Sequence, residues 1–440
     1  MANQVSNIPD AREILVAIDL GSSSVKAMAA RRIDENTLQI LGVESSSRYS
    51  CMKDGAVVQS SNAGFTIREL LQLLANRLGV KELPQAFIVN GGMSMMVKPI
   101  TWRHDMLIKT PITQQIMDEM EAECIQNVET NNPHAAVLAL VPAYYDLNGK
   151  KQTECPTTKQ KAETLNITYS VFAGKRELVQ KVQDSFDRAV IVIEKTFARP
   201  DAQLSALISD HNEYFEKGCA VVDFGAQTTT VTVYKGSHYL ECRVIPLGGW
   251  HITRFIEQQG VEPPYSEAIK TRYGYASPEL MLADQEMQDA TMKLQSSTSD
   301  NGFIRLKISE LAEIIQMKED EIIDKVLTVL KPYEERISTI ILTGGASKLK
   351  GLAEYIQQKT TLNVDYGSFA PLLDYNTPDE YYMPEYSSLV GALILGSDYR
   401  NTHPKDTLPE RATTLRERLK AVKQKIMDQT VDIFSQPERK

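Results

Sequence analysis

The 440-residue chain is poor in the features that mark several specialised classes of protein. Its five cysteines are an odd set without a C-x-x-C pair, and its six histidines include no H-E-x-x-H motif. A disulfide framework and a zinc site are therefore both disfavoured. No apolar run approaches the roughly 18 residues that span a bilayer. The first residues lack a basic segment followed by an apolar stretch, which argues against secretion.

Positive charge is also scarce, because 48 Lys and Arg stand against 57 Asp and Glu, a net charge of −9. Nucleic-acid binding needs clustered positive charge, so we expect no nucleic-acid partner. The 42% of hydrophobic and 24% of charged residues are typical of a globular chain, and the length predicts two to four packed units. We expect a cytosolic protein, or one that touches a membrane only peripherally.

A strand-and-turn pattern occurs twice, about half a chain apart. The strand Ile14–Ile18 runs into a D-x-G turn that begins at Asp19, and Ala220–Val222 runs into a second one that begins at Asp223. Each turn is followed by two further predicted strands and a helix. An internal repeat of this size predicts two related α/β lobes.

The same turns predict a nucleotide site. Glycine lets backbone N–H groups approach phosphate oxygens, and the following hydroxyl groups add donors. We expect Asp19 and Asp223 to face each other across a cleft and to hold a hydrated Mg²⁺ through water. A third turn, T-G-G-A at 343–346, follows the strand Thr339–Leu342 and would pass close to a purine. Each turn alone is weak evidence, whereas the three in this order are strong evidence.

This ordered set resembles the actin, Hsp70 and sugar-kinase superfamily of ATP-binding folds. Within it the chain looks like the FtsA family, the bacterial actin homologues that tie the FtsZ ring to the membrane. Besides the turns, the resemblance rests on V-P-x-x-Y-D at 141–146, V-I-P-L-G-G at 244–249 and E-A-I-K-x-R-Y-G at 267–274. It implies an α/β, actin-like two-lobed ATPase fold with duplicated strand-rich lobes and an inserted α+β subdomain.

The predicted organisation follows the chain from one lobe to the other and back. The expected segments are the first lobe at 12–83, 166–200 and 371–396, the inserted subdomain at 84–165, the second lobe's phosphate-binding part at 201–263, its helical subdomain at 264–331, its adenosine turn at 332–370, a linker at 397–409, and a basic amphipathic helix at 410–434.

The resemblance also implies binding residues for ATP. The implied phosphate contacts are Gly21, Ser22, Ser23, Gly225, Gln227, Thr228 and Thr229. The implied adenosine contacts are Gly248, Gly249, Glu267, Lys270, Gly344, Gly345 and Ala346. Without the neighbouring turns, Glu267 and Lys270 would be an ordinary exposed ion pair worth about 0.2–0.5 kcal/mol.

Two positions depart from the family pattern. Ser24 stands where the family usually has Lys, with Lys26 two residues later, and Gln227 replaces a glycine of the second turn. The Gln227 side chain could crowd a γ-phosphate or donate an amide hydrogen bond to it. We therefore expect ATP and Mg²⁺ as ligands but weak or absent hydrolysis, and we predict no catalytic residue.

The last predicted helix is basic and amphipathic. Six Lys and Arg stand against one Glu between 411 and 427. The residues expected to meet a membrane are Leu415, Leu419, Val422, Ile426, Lys420 and Lys423. Such a helix binds anionic lipid surfaces, although a solvated or self-docked helix has the same pattern. The terminal targeting helix of the family favours the anchor.

Taken together, the resemblance implies an ATP-binding scaffold of cell division. It would recruit the FtsZ ring to the inner face of the cytoplasmic membrane at the division site and polymerise head to tail. Lys318 and Glu321 are expected in the site for the FtsZ tail, and later division proteins are expected as further partners. The alternatives are a PilM-like pilus adaptor, which the basic tail disfavours, and a small-molecule kinase on the same fold, which the missing glycines disfavour.

Overall fold

The computed structural model describes residues 13–46, 51–208, 212–282, 284, 286–287, 290–295 and 302–403. Its strands are β1 (Leu15–Leu20), β2 (Val25–Arg32), β3 (Leu38–Ser46), β4 (Met52–Lys53), β5 (Ala56–Val57), β6 (Gln85–Asn90), β7 (Met96–Pro111), β8 (Ala135–Leu147), β9 (Lys150–Gln152), β10 (Lys161–Lys175), β11 (Val192–Ala198), β12 (Cys219–Phe224), β13 (Thr229–Lys235), β14 (His238–Ile245), β15 (Thr291–Gln295), β16 (Phe303–Lys307), β17 (Thr339–Thr343) and β18 (Asn363–Tyr366).

Helices connect and cover these strands. They are α1 (Ser60–Leu78), α2 (Gln114–Asn131), α3 (Arg176–Ala189), α4 (Arg199–Leu207), α5 (Asn212–Lys217), α6 (Gly249–Gln258), α7 (Pro263–Tyr273), α8 (Pro278–Leu282), α9 (Ile308–Leu330), α10 (Leu352–Gln357) and α11 (Ser387–Thr402). Short 3₁₀ helices lie at Lys331–Tyr333, Gly345–Lys348, Ala370–Leu372, Asp379–Tyr382 and Pro384–Tyr386.

The first lobe is a five-stranded sheet in the order β11-β6-β1-β2-β3. Strands β1, β2 and β3 pair antiparallel, whereas β6 and β11 continue the sheet parallel to β1. Every residue of β1 is buried, because the sheet is covered on both faces. Val16 and Ile18 pack towards α1 and α3, while Leu15 and Ala17 pack on the other face with α4 and α11.

The second lobe repeats this arrangement strand for strand. Its sheet has the order β14-β13-β12-β17-β18, with β12, β13 and β14 antiparallel and β17 and β18 parallel. Ala220 and Val222 face the core of α9 and α10, whereas Cys219 and Val221 share a core with α4 and α11. The fold is therefore α/β with two related lobes, as the repeat predicted, and one apolar core joins the lobes through α4 and α11.

An inserted α+β unit stands on the first lobe. Its antiparallel sheet has the order β7-β10-β8-β9, and Met120, Cys124 and Val128 of α2 pack against it. The limits of this unit differ from the predicted 84–165. Strand β6 pairs with β1 in the first-lobe sheet, and β10 continues to Lys175, so the inserted sheet extends from Met96 to Lys175.

Two other segments differ from the sequence expectation. The segment 264–331, predicted as a helical subdomain, also contains β15, which forms a hairpin with β16 beside α9. Helix α11 continues to Thr402, past the predicted start of the linker at 397. The physical reason is the Arg400 guanidinium, which holds this last turn by a bidentate ion pair with Glu194 at 2.5 and 2.8 Å. The predicted amphipathic helix 410–434 lies outside the described residues.

Candidate nucleotide cleft

The two D-x-G turns have the same backbone geometry. In the first, the Gly21 N–H donates to the Ser24 carbonyl at 3.2 Å, and in the second the Gly225 N–H donates to the Thr228 carbonyl at 3.0 Å. Each turn joins the first and second strands of its lobe. The repeat seen in the sequence is therefore a repeat of hydrogen bonding, and both turns lie at the same end of equivalent sheets.

The first aspartate has a partner that the sequence did not predict. Asp19 is buried, and its two carboxylate oxygens accept hydrogen bonds from the Arg199 guanidinium at 2.5 and 2.9 Å. The Ser388 hydroxyl donates to the same carboxylate at 3.2 Å. Both oxygens that were expected to hold the water shell of Mg²⁺ are thus engaged by a guanidinium.

The second aspartate lies against the third turn. Asp223 is buried and accepts a hydrogen bond from the Gln203 side chain. Gly344 has a φ of +88°, and a Cβ built there would lie 2.1 Å from Asp223 Oδ1. Burial raises the pKa of Asp223 above its usual value, while the charge of Arg199 opposes that rise. The turn around Gly344 and the second D-x-G turn are therefore packed in direct contact, as the three-turn hypothesis requires.

These surroundings do not fit the predicted hydrated Mg²⁺. Burial alone would lower the pKa of Arg199. The negative charges of Asp19 and Asp223 outweigh this effect and hold the pKa of Arg199 above its usual value. In the ranges that the structure describes, no group of three or more His, Cys, Asp or Glu side chains is placed to bind a metal. The cation that binds Asp19 is an arginine, and its charge also acts on Asp223.

A small hairpin formed by β4 and β5 connects the two D-x-G turns. The Asp54 N–H donates to Gln227 Oε1 at 2.6 Å, and the Gly55 N–H donates to Ser22 Oγ at 2.7 Å. Only the oxygen of an amide side chain accepts hydrogen bonds, so the Gln227 oxygen faces the hairpin. The NH₂ group, which is a donor, is the other end of the same amide. The hairpin thus bridges the two lobes at their D-x-G turns.

The predicted phosphate-binding hydroxyls divide into two groups. Ser23 and Thr228 lie on the accessible side of their turns, and Ser22 is buried against the hairpin. Thr229 is fully buried, and its hydroxyl donates to the Leu247 carbonyl at 2.9 Å. Thr229 therefore fixes the second turn from inside the lobe, which differs from the predicted contact with a phosphate.

The predicted adenosine residues come together around Lys270. Its ammonium group donates to the Gly249 carbonyl at 2.9 Å, to Thr253 Oγ1 at 2.7 Å and to Glu267 Oε2 at 2.8 Å. The Lys270 side chain is only 12% exposed, whereas that of Glu267 is 61% exposed. A Cβ built on Gly249 would lie 2.9 Å from the Ala346 Cβ. The pair is thus more than a solvated surface contact, because the lysine is held by three partners beneath the third turn.

Gly248 and Gly345 complete the predicted set at its edges. The Gly248 N–H donates to His251 Nδ1 at 3.1 Å at the start of α6, and Gly345 is exposed within the third turn. The amides of Gly249 and Trp250 donate to the carbonyls of the second turn at 3.0 and 2.7 Å. These bonds attach the start of α6 to the second turn.

The two residues predicted for the FtsZ tail lie together on α9. Lys318 Nζ and Glu321 Oε2 form an ion pair at 2.5 Å, three residues apart on the helix. The hydrogen bond from Lys318 lowers the pKa of Glu321 below its usual value. Beside them, the Met317 side chain is exposed. The structure thus places a small charged and apolar surface on the outside of the helical subdomain.

Some residues of the site were missed in the sequence. The Asp54-Gly55 dipeptide is a strong signal for a two-residue hairpin turn and would have located β4 and β5. Arg199 carries no comparable signal, because its partner Asp19 is 180 residues away in the chain. Thr253, which binds Lys270, is likewise an inconspicuous helical threonine.

The membrane residues predicted between 415 and 426 lie outside the described part of the chain. Among the helices of the described residues, none combines the length and the apolarity that a membrane crossing needs.

Comparison with solved structures defines the class of protein. The fold is similar to that of a chain in the "PilM-PilN type IV pilus biogenesis complex", with a TM-score of 0.60 and 17% identity. The similarity covers 87% of this chain and 98% of that one. This protein therefore has the actin-like, two-lobed ATPase fold.

Sequence comparison then shows which proteins this chain resembles. The model of the family "Cell division protein FtsA" matches residues 220–391, from β12 to the first turns of α11. The chain is 23% identical to FtsA of Escherichia coli K12 over 403 residues, which cover 88% of this chain and 91% of that protein. It is 24% identical to FtsA of Bacillus subtilis 168 over 366 residues, or 81% and 79% of the two chains. The chain is thus similar to FtsA proteins over most of its length, and the resemblance seen in the motifs is confirmed.

Proposed function

We propose that this protein is an ATP-binding scaffold of bacterial cell division. In this role it recruits FtsZ to the inner face of the cytoplasmic membrane at the division site and assembles head to tail into polymers. The observation that supports the proposal most strongly is the convergence of three turns with the Lys270 cluster. Hydrogen bonds and contacts connect these groups, in a chain that matches FtsA proteins over most of its length.

We assign adenosine to the Lys270 cluster and the third turn. Because Gly249 and Gly344 have no side chains, the third turn packs against the second D-x-G turn and the start of α6, beside Lys270. Glu267 offers an exposed carboxylate to a ribose hydroxyl, and Lys270 fixes that carboxylate from below. Phosphates would lie at the two D-x-G turns, where Gln227 would offer its NH₂ group as a donor.

Hydrolysis of ATP is expected to be weak or absent. A general base needs a carboxylate or imidazole that can reach an attacking water. At this end of the cleft, the Asp19 carboxylate is bound to Arg199, and Asp223 is bound to Gln203 and packed against Gly344. The proposed role therefore depends on nucleotide binding and assembly rather than on turnover.

The surface of Lys318, Glu321 and Met317 is the proposed contact for the FtsZ tail. A peptide that carries both charged and apolar side chains could exchange its own charges with the Lys318–Glu321 pair and cover Met317. The pair is on α9, whose opposite face is buried in the second-lobe core, so the surface is rigid. Membrane attachment is assigned to the basic segment 410–434.

Co-sedimentation with anionic liposomes tests these roles together. Full-length protein and a version that ends at Asp406 are each mixed with FtsZ, and the pellet is analysed. We expect FtsZ in the pellet only with the full-length chain. The double variant Lys318→Ala/Glu321→Ala should pellet by itself but leave FtsZ in solution, whereas the matched variant Lys325→Ala on the same helix should behave like wild type.

The other outcomes select between the alternatives. If the protein binds liposomes but FtsZ stays in solution, the FtsZ role is wrong. A PilM-like adaptor then becomes the better proposal, since the pilus complex contains the similar chain described above. If neither protein binds, the tail is not an anchor, and a screen for phosphate transfer to small molecules would test the kinase alternative.

A further inference from the structure

We propose that Arg199 is a built-in cation that takes the place of the divalent metal ion in this cleft, so that a nucleotide bound there is held without Mg²⁺. The first half of this inference concerns the protein alone. The second half rests on the proposed binding of ATP.

The geometry of Arg199 is that of a fixed ligand. Two guanidinium nitrogens meet the two Asp19 oxygens at 2.9 and 2.5 Å, which is the fork-to-fork arrangement that makes such pairs strong and directional. One nitrogen also approaches the Leu20 carbonyl at 3.5 Å. The side chains are 15% and 3% exposed, so water does little to weaken their attraction.

The backbone is shaped around this arginine. Arg199 begins α4, and the chain at the end of β6 leaves room for it, since a Cβ built on Gly91 would lie 3.0 Å from Arg199 Nε and 3.4 Å from its Cβ. The Ser388 hydroxyl of α11 fixes the same carboxylate from another side. Groups from β1, β6, α4 and α11 therefore hold one ion pair, and a displaced guanidinium would be left buried without its partner.

The local charges are consistent with replacement of a divalent ion. Two carboxylates, Asp19 and Asp223, stand at the ends of equivalent strands, as two metal-water ligands would. Arg199 acts on both of them, and Lys26, which is opposite Asp19 on β2, also acts on Asp223. These two side chains supply two positive charges, the same as one Mg²⁺. Lys26 is the lysine that the sequence places two residues later than the family pattern.

Manganese binding followed by electron paramagnetic resonance tests the first half on the full-length protein without nucleotide. We expect no bound Mn²⁺ for wild type and about one bound Mn²⁺ per chain for Arg199→Ala. The double variant Asp19→Asn/Arg199→Ala should again bind no Mn²⁺. Arg103→Ala, which removes an exposed arginine of the inserted sheet, should behave like wild type. Stoichiometric Mn²⁺ binding by wild type, or none by a folded Arg199→Ala protein, would overturn the proposal.

Calorimetric titration with ATP in Mg²⁺ and in EDTA tests the second half. The affinity of wild type for ATP should agree within about twofold in the two buffers. The affinity of Arg199→Ala for ATP should be at least about tenfold lower in EDTA than in Mg²⁺. A tenfold loss for wild type would overturn the proposal. If wild type binds no ATP in either buffer, the proposed nucleotide function fails, and the Mn²⁺ measurement still decides the role of Arg199. If Arg199→Ala does not fold, Arg199→Lys replaces it in both measurements. Lysine keeps the positive charge but cannot bind both Asp19 oxygens at once, so we expect this variant to bind Mn²⁺ more weakly than Arg199→Ala would.

Discussion

The carboxyl group of Glu319 gives the most quantitative prediction for this protein. Glu319 lies on the buried face of α9 with 2% of its surface exposed, and its Oε1 has no hydrogen-bond partner among the described residues. Burial raises its pKa from 4.5 to about 8, although the positive charge of Lys270 works against the rise. A carboxyl in such a place prefers to be protonated.

The sign of the effect on stability follows from linkage. The folded protein holds this proton more tightly than the unfolded chain does, so the stabilisation is present below the unfolded pKa of 4.5 and is lost as the pH rises towards about 8. The shift corresponds to about 5 kcal/mol at most, since one pKa unit is worth about 1.4 kcal/mol. Most of that loss falls between pH 5 and pH 8.

The substitution Glu319→Gln removes the titration and keeps the shape of the side chain. Near pH 4.5 wild type and variant should be about equally stable, and the variant should become progressively more stable than wild type, by up to about 5 kcal/mol above pH 8. Urea unfolding at several pH values between 4.5 and 9 measures this difference. Glu313→Gln, an exposed position on α9, is the control and should show a small difference that does not depend on pH. A difference for Glu319→Gln that stays constant with pH, or a less stable variant at pH 9, would show that the carboxylate is paired in solution and would refute the reasoning.

Two further predictions concern the turns and the lobe contacts. Gly344→Ala should destabilise the protein by at least about 2 kcal/mol in thermal unfolding, because its φ of +88° suits glycine and the new Cβ would meet Asp223. Gly345→Ala, where the nearest atom is 3.9 Å away, should cost much less, and equal effects would contradict the packing of the third turn. Glu194→Gln should cost about 3 kcal/mol because it removes the negative charge that faces the buried Arg400 guanidinium, and a loss below about 1 kcal/mol would show that the pair is exposed to water.

The sequence predicts those parts of the fold that depend on local pattern. Each D-x-G turn follows a buried strand and closes on itself within four residues, so its position could be read directly. The internal repeat then implies that both turns lie at the same end of equivalent sheets. The E-x-x-K spacing similarly places Glu267 and Lys270 on one face of α7.

The rest depends on contacts between distant parts of the chain. Arg199 reaches Asp19 over 180 residues, and Asp54 reaches Gln227 over 173. Nothing near Arg199 distinguishes it from an arginine at the exposed start of an ordinary helix. The end of α11 was missed for the same reason, because the chain continues as a helix past 397 to bring Arg400 to Glu194 on β11.

The departures from the family pattern have a common physical basis in the structure. Gln227, which replaces a glycine, binds the hairpin that joins the two lobes, and Lys26 acts with Arg199 on Asp223, where a metal was expected. Gln227 and Lys26 each make an interaction inside the protein where an interaction with solvent or with a metal was expected. Acids that are neutralised inside the protein have little means of activating water, yet the two D-x-G turns and the Lys270 cluster keep the hydrogen bonds described above. The same set of contacts therefore accounts both for the expected absence of turnover and for the proposed binding of nucleotide without Mg²⁺.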